Sequence, residues 1–252
     1  MHSSHENSFP SDNTRFHETA DIETASRDYA RRFSGKVGEW FLSVQEMATL
    51  RMLANHGHAE VLDVGGGHGQ LTEGLVKNRY SVTVLGSSSA CSPKLQEYVQ
   101  AGLCELRVGD LLDMPFPDRS FDIVLSFRLL PHVFKWQRFL QELARVADEA
   151  VIFDYPELHS WNLLTPFFFK MKKRLEGNTR PYTSFRTQEL VEQMAQQGFY
   201  LEDRFAQFFL PMVFHRRLKS PGISDFFETG FRKLGLTRSF GSPVIIKFKR
   251  GR

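Results

Sequence analysis

The sequence predicts an α/β protein: one doubly wound, mostly parallel sheet with an antiparallel strand near its C-terminal edge and helices on both faces. Three observations carry that prediction. Short aliphatic runs (EVLDV 60–64, SVTVL 81–85, FDIVLSF 121–127, AVIFDY 150–155) alternate with helical stretches, the pattern of βαβ units. The first run leads straight into Gly65, Gly66, Gly67 and Gly69. So dense a glycine cluster costs backbone entropy and needs a local reason, such as a ligand lying close to the main chain. Finally, 252 residues suffice for one large domain with a sizeable core.

Residues 1–25 are polar and aperiodic and read as a flexible arm. A single domain is expected over 26–252, with a cofactor half to about residue 155 and a substrate-side elaboration over 156–252. Trp40, Phe41, Val44, Met47, Ala48 and Met52 recur at helical spacing between Glu39 and Asn55, with Gly57 as a candidate stop. Helices are expected over Gln70–Lys77, over Pro93–Gln100 with Ser92 as N-cap, and over Gln137–Ala147. CELRV (104–108) adds a short strand. Beyond Tyr155, Thr187–Gln197 and Ser224–Leu234 read as helices, and residues 199–210 and PVIIKFK (243–249) as strands.

Charge is unevenly placed. The chain has 32 basic and 29 acidic residues, net +3. Residues 1–150 hold 15 Lys/Arg against 20 Asp/Glu, and residues 151–252 hold 17 against 9. A basic C-terminal part suits anionic substrates, nucleic acid or an anionic membrane surface, and equally a plain solvated face. Two cysteines without CxxC or Cys/His spacing argue against a disulfide framework or a structural zinc site. No secretory leader or membrane-length apolar run is visible, so a cytoplasmic protein is expected.

VLDVGGGHG (61–69) resembles motif I of the class I S-adenosylmethionine-dependent methyltransferases. VGDLLDMPFPDRSFDIVLSF (108–127) and LLPHV (129–133) are similar to that family's next two blocks. The resemblance covers about residues 59–155, is closest to the broad small-molecule and quinone-biosynthesis group, and implies a Rossmann-like fold with S-adenosylmethionine as cofactor. It further implies that Gly65 and Gly67 admit the methionine part while Asp63 sits behind the loop, holding backbone N–H groups or the ammonium. Asp110 would accept from the adenine amino group with Leu111 beside the ring, and Ser126 and Phe127 would line the methionine side. One departure stands out: the family's acidic residue at the end of strand two, which grips both ribose hydroxyls, has no counterpart. Gly86 falls there, and nothing acidic occurs between Glu73 and Glu97. The hydroxyls of Ser87 and Ser88 are the local substitutes, with neutral hydrogen bonds on the order of 1 kcal/mol each.

Open α/β sheets bind ligands beyond the carboxyl ends of their strands, so acceptor chemistry is sought after strands four and five. Arg128, His132, Tyr155 and His159 lie there. His132 is the candidate general base, since histidine titrates near neutrality, with a packed structural histidine as the competing reading. Tyr29, Arg32 and Phe33 lead into a helix expected over the cofactor. No D/N-P-P-Y segment follows strand four, which argues against DNA, and Asp154-Tyr155-Pro156 lacks the Asp-Asn pair of metal-dependent catechol enzymes, so no metal is expected. Two aromatic clusters, Phe167–Phe169 and Phe208–Phe214, each run into cations and suggest a substrate-side wall for a lipophilic acceptor. The expectation is methyl transfer to a small or medium-sized acceptor, with transient contact to a membrane surface. An RNA- or protein-modifying enzyme, a catalytically inactive cofactor-binding regulator and a dinucleotide oxidoreductase stay open as alternatives.

Overall fold

The computed structural model describes residues 18–24, 31–90, 92–160 and 182–251. The first part of the expected arm, Tyr29, Cys91, and the aromatic and basic cluster around Phe167–Arg174 lie outside these residues.

Seven strands form one sheet in the order β3-β2-β1-β4-β5-β7-β6. They are β1 (Glu60–Val64), β2 (Ser81–Gly86), β3 (Glu105–Val108), β4 (Phe121–Ser126), β5 (Ala147–Tyr155), β6 (Phe199–Ala206) and β7 (Val244–Arg250). The first five pair in parallel. The expected antiparallel strand is β7, which inserts between β5 and β6 and runs against both. The strand order reverses beside β1, the switch point where such sheets open a ligand crevice.

The helices are α1 (Ala20–Thr24), α2 (Gly35–Leu53), α3 (Thr72–Lys77), α4 (Pro93–Gln100), α5 (Trp136–Val146), α6 (Thr187–Ala195), α7 (Met212–Leu218), α8 (Pro221–Lys233) and α9 (Leu236–Phe240). α4 begins as read from sequence: the Ser92 hydroxyl accepts from the Leu95 amide at 3.3 Å and Pro93 takes the first position. α2 starts earlier than its apolar rhythm, and Ala54, not Gly57, caps it. α7 and α9 are too short to leave a periodic signature. Residues 18–24 of the expected arm are packed: Ala20 is fully buried, and Glu18 and Asp21 are nearly so.

Alternation along the strands sorts the core into two layers. Leu62, Val64, Val151 and Phe153 meet α5 and α6 on one face. Val61, Ile123, Ile152 and Ile245 meet α2, α3 and α4 on the other. The period of two puts Asp63 and Asp154 on this second face, at the carboxyl ends of β1 and β5 with β4 between them. Two carboxylates at strand ends in an apolar layer are costly, which marks the place as a site.

Candidate active site

The turn after β1 is held by backbone bonds: Gly65 N–H donates to Leu85 O at 2.8 Å, and Gly69 N–H to Gly66 O at 2.8 Å. Gly65 has φ +80°, and a Cβ there would lie 2.6 Å from Leu129 Cδ2. A Cβ on Gly66 would fall 2.0 Å from Asp63 Oδ2. The Asp63 carboxyl therefore sits directly beneath the loop, and Gly66 is the residue that makes room for it. Gly67 O accepts from Ser92 N at 2.8 Å, tying the loop to the start of α4.

Burial pushes the Asp63 carboxyl up to about 7, against the opposing pull of Arg128. Burial and Arg128 together hold His68 well below the usual histidine range, so its imidazole is neutral. The side-chain amide of Gln70, both oxygen and nitrogen, is buried without a partner among the described residues, as is the Thr72 hydroxyl. Buried polar atoms without partners are rare in native structures and call for a ligand or water.

Asp110 accepts from Leu112 N at 2.8 Å through Oδ1, so half of its carboxylate stiffens the turn after β3. Leu111 is fully buried beside it. Ser126 Oγ donates to Val64 O at 3.2 Å, tying β4 to β1. The Phe127 side chain packs in the layer with Leu71 and Leu75. At the end of β2, Ser87 meets an unexpected carboxylate. Asp21, from α1, accepts from Ser87 N at 2.6 Å and from Ser87 Oγ at 2.5 Å. Its Oδ2 lies 3.4 Å from where a Cβ on Gly86 would be, about the reach of a glutamate grown from that position. The N-terminal segment thus places a carboxylate at the end of β2. No local sequence signal pairs residues 21 and 87.

Beyond the loop lies a cavity of about 670 Å³, walled by Phe33, Phe41, Phe208, Leu210 and Met212. That size suits an organic ring system with a few directed polar groups. Arg128 joins the two regions. It lines the cavity, its charge acts on both Asp63 and His68, and its guanidinium lies 4.5 Å from the centre of the Phe33 ring. Its φ of +59° is unusual for a side-chain-bearing residue, and its amide donates to Asp154 Oδ1 at 2.5 Å. Burial pushes the Asp154 carboxyl up to about 6, opposed by Arg128.

Of the acceptor-side candidates, the structure brings Arg128, His132 and Tyr155 to the cavity wall. His132 ends a 3-10 turn, with its ring edge-on to Tyr182 at 5.5 Å between centroids. The Tyr155 hydroxyl is 2.6 Å from Thr187 Oγ1, and burial pushes the phenol up to about 12. His159 is not at the wall; its exposed ring is 3.8 Å from Glu157 Oε1. Asp154 and Gln207 also face the cavity, and composition alone gives no sign of either. Among the described residues, no group of His, Cys, Asp and Glu side chains is arranged to hold a metal.

Residues 62–153 match the family model described as a methyltransferase domain. A demethylmenaquinone methyltransferase from Tropheryma whipplei (strain Twist) is 26% identical over 201 residues, 69% of this chain and 80% of that one. The chloroplastic 2-methyl-6-phytyl-1,4-hydroquinone methyltransferase 1 of Oryza sativa subsp. japonica is 31% identical over 111 residues, 43% of this chain. This chain spans only 34% of that relative's length and 14% of the ajmaline N-methyltransferase of Rauvolfia serpentina, which it also matches. In fold it resembles the magnesium protoporphyrin IX methyltransferase of Synechocystis PCC 6803, solved with bound SAH, at a TM-score of 0.62 and 16% identity over 92% of this chain and 98% of that one. Residues 62–153 thus match a methyltransferase domain, and the chain shares the Rossmann-like fold of the solved methyltransferase it resembles.

Proposed function

We propose that the protein transfers a methyl group from S-adenosylmethionine to a small or medium-sized, lipophilic acceptor. One observation carries this reading: Arg128 and Asp154 join a glycine-loop site with unpartnered buried polar atoms to an aromatic cavity of about 670 Å³. The residues present fit the cofactor. The Gln70 amide offers both a donor and an acceptor to an amino-acid moiety, and the Asp63 carboxyl lies beneath the same loop. Asp21 uses one acceptor position on each oxygen for Ser87, which leaves one on each for a diol. Asp110 keeps Oδ2 for the adenine amino group, with Leu111 beside the ring.

When bound, the cofactor supplies an electrophilic methyl group on sulfur. The chain's part is to hold an acceptor in line and keep water away, and positioning of this kind contributes much of the rate. The aromatic wall does the excluding. His132 stands at that wall to take a proton from a hydroxyl or protonated-amine acceptor. The Tyr155 phenol does not serve as base, because it stays protonated and bonded to Thr187.

The quinone and porphyrin compounds in the names of the relatives support a ring acceptor, and the basic C-terminal part supports transient contact with an anionic surface. Calorimetry with S-adenosylhomocysteine and NAD tests the cofactor: binding of the first and not the second is expected. A methylation screen over quinone-like, lipid-like and hydrophilic acceptors, with RNA and peptide included, tests the acceptor. Turnover confined to hydrophilic molecules or polymers would sink the lipophilic reading.

A further inference from the structure

α8 is amphipathic the wrong way round. Its residues at spacing i, i+3, i+4 and i+11, namely Ile223, Phe226, Phe227 and the cap Leu234, are all exposed, Phe226 at 75% and Leu234 at 74%. Such spacing puts them on one stripe of the helix. The adjoining stripe faces the protein and holds buried polar residues beside Phe231, whose ring centroid lies 4.6 Å from that of Phe209. Ser224 is fully buried, and buried Glu228 accepts from Phe209 N at 2.8 Å and Leu210 N at 2.9 Å, and lies 3.0 Å from His215 Nε2. Burying a carboxylate in order to turn phenylalanines outward makes sense only when the outer face meets something apolar.

The surroundings say what that is. Seven of the fifteen exposed large apolar residues among the described residues fall between Val213 and Phe240, so the exposure is local rather than scattered. The same stretch carries Arg216, Arg217, Lys219, Lys233 and Arg238, besides Arg232, which is bonded inward to Ala206 O and Gln207 O, against Asp225 and the buried Glu228. An apolar stripe flanked by cations fits the boundary between headgroups and acyl chains of an anionic bilayer. The face is also continuous with the acceptor cavity. Val213 is 65% exposed yet lines it, Arg216 lines it, and His215 on the same turn is held by Glu228 of α8.

We propose that α8, with the start of α7, is an interfacial docking element that lays the opening of the acceptor cavity on an anionic membrane surface. The acceptor then enters from the lipid phase without crossing water. The use made of the acceptor rests on the methyltransferase reading; the docking itself does not. Among the described residues no helix is long and apolar enough to cross a membrane, so α8 lies on the surface.

The test is co-sedimentation of the full chain with phosphatidylcholine vesicles, with and without 30% phosphatidylglycerol. Phe226→Glu and Phe227→Glu serve as variants, and S-adenosylhomocysteine calorimetry is run on each protein. The wild type is expected to bind the anionic vesicles and lose most binding in high salt or on neutral vesicles. Either variant should lower the bound fraction at least tenfold with unchanged cofactor affinity. A Phe226→Trp protein should show a blue-shifted emission with anionic vesicles. Absence of wild-type binding overturns the proposal, as does equal binding by the glutamate variants. A concentration-dependent dimer in sedimentation velocity that Phe226→Glu abolishes, without vesicle binding, would assign the face to a second copy and overturn it too. Loss of cofactor affinity in the wild type would instead strike the methyltransferase reading and leave docking to the vesicle result.

Discussion

Asp21 and Ser87, 66 residues apart, share a bidentate contact: one carboxylate oxygen takes the Ser87 amide at 2.6 Å and the other its hydroxyl at 2.5 Å. It puts a buried carboxylate at the end of β2, where Gly86 has none to offer. Asp21→Ala is expected to weaken S-adenosylhomocysteine by about 1.5–3 kcal/mol, the worth of hydrogen bonds to a charged group. Asp21→Ala with Gly86→Glu should recover part of that loss, because the new carboxylate reaches the place that Asp21 vacates. Calorimetry measures both. Unchanged affinity in Asp21→Ala would take α1 out of the site, and tighter binding would make Asp21 a competitor for it.

Gly66 and Asp63 are in steric conflict for any larger residue at 66. Gly66→Ala must push either the loop or the Asp63 carboxyl aside, at a cost of about 1–3 kcal/mol of stability from overpacking. Cofactor affinity should fall with it. A Gly66→Ala protein with wild-type melting temperature and wild-type affinity would contradict the geometry.

Stability should fall as pH rises from about 4 to about 7. Asp63 and Asp154 titrate at about 7 and about 6 in the fold, against about 3.9 in an unfolded chain. Over that window the folded state holds more protons than the unfolded one, so raising the pH favours unfolding. Each unit of upward shift is worth about 1.4 kcal/mol of declining stability, and the shifted values already contain the opposing pull of Arg128. Urea titrations at pH 5 and pH 8 measure it. Asp63→Asn should flatten the slope, and a slope unchanged by that substitution would refute the assignment.

His132 and Tyr155 should separate in kinetics. With an acceptor that must lose a proton, His132→Ala is expected to lower kcat by about 10² or more and to remove the acidic limb of its pH profile. Tyr155→Phe loses the bond to Thr187, worth about 1 kcal/mol of stability, and leaves that limb in place. An intact acidic limb in His132→Ala would make His132 a packing residue beside Tyr182.

Much of this protein is written locally. The period-two runs of β1, β2, β4 and β5, the Ser92-Pro93 start of α4 and the glycine cluster are each set by neighbours a few residues away, which is why they are legible in the sequence. The motif segment 61–133 likewise marks the glycine loop, Asp63 and Asp110. Other features depend on contacts between distant parts of the chain. Gly66 matters because the Asp63 carboxyl folds back beneath it. Asp154 reaches the cavity wall because the order β1-β4-β5 and the pleat put it on the same face as Asp63, with the left-handed Arg128 between. The apolar stripe of α8 is visible as a pattern, yet its periodicity is the same whichever way the helix faces. Glu228, bonded to the backbone of Phe209 and Leu210 and facing His215, turns that stripe outward. Asp21 reads as part of a polar arm until Ser87 is brought to it. Periodicity and turn chemistry are short-range properties. The meeting of carboxylates, cations and unpaired amides from remote segments is settled only when the sheet order closes.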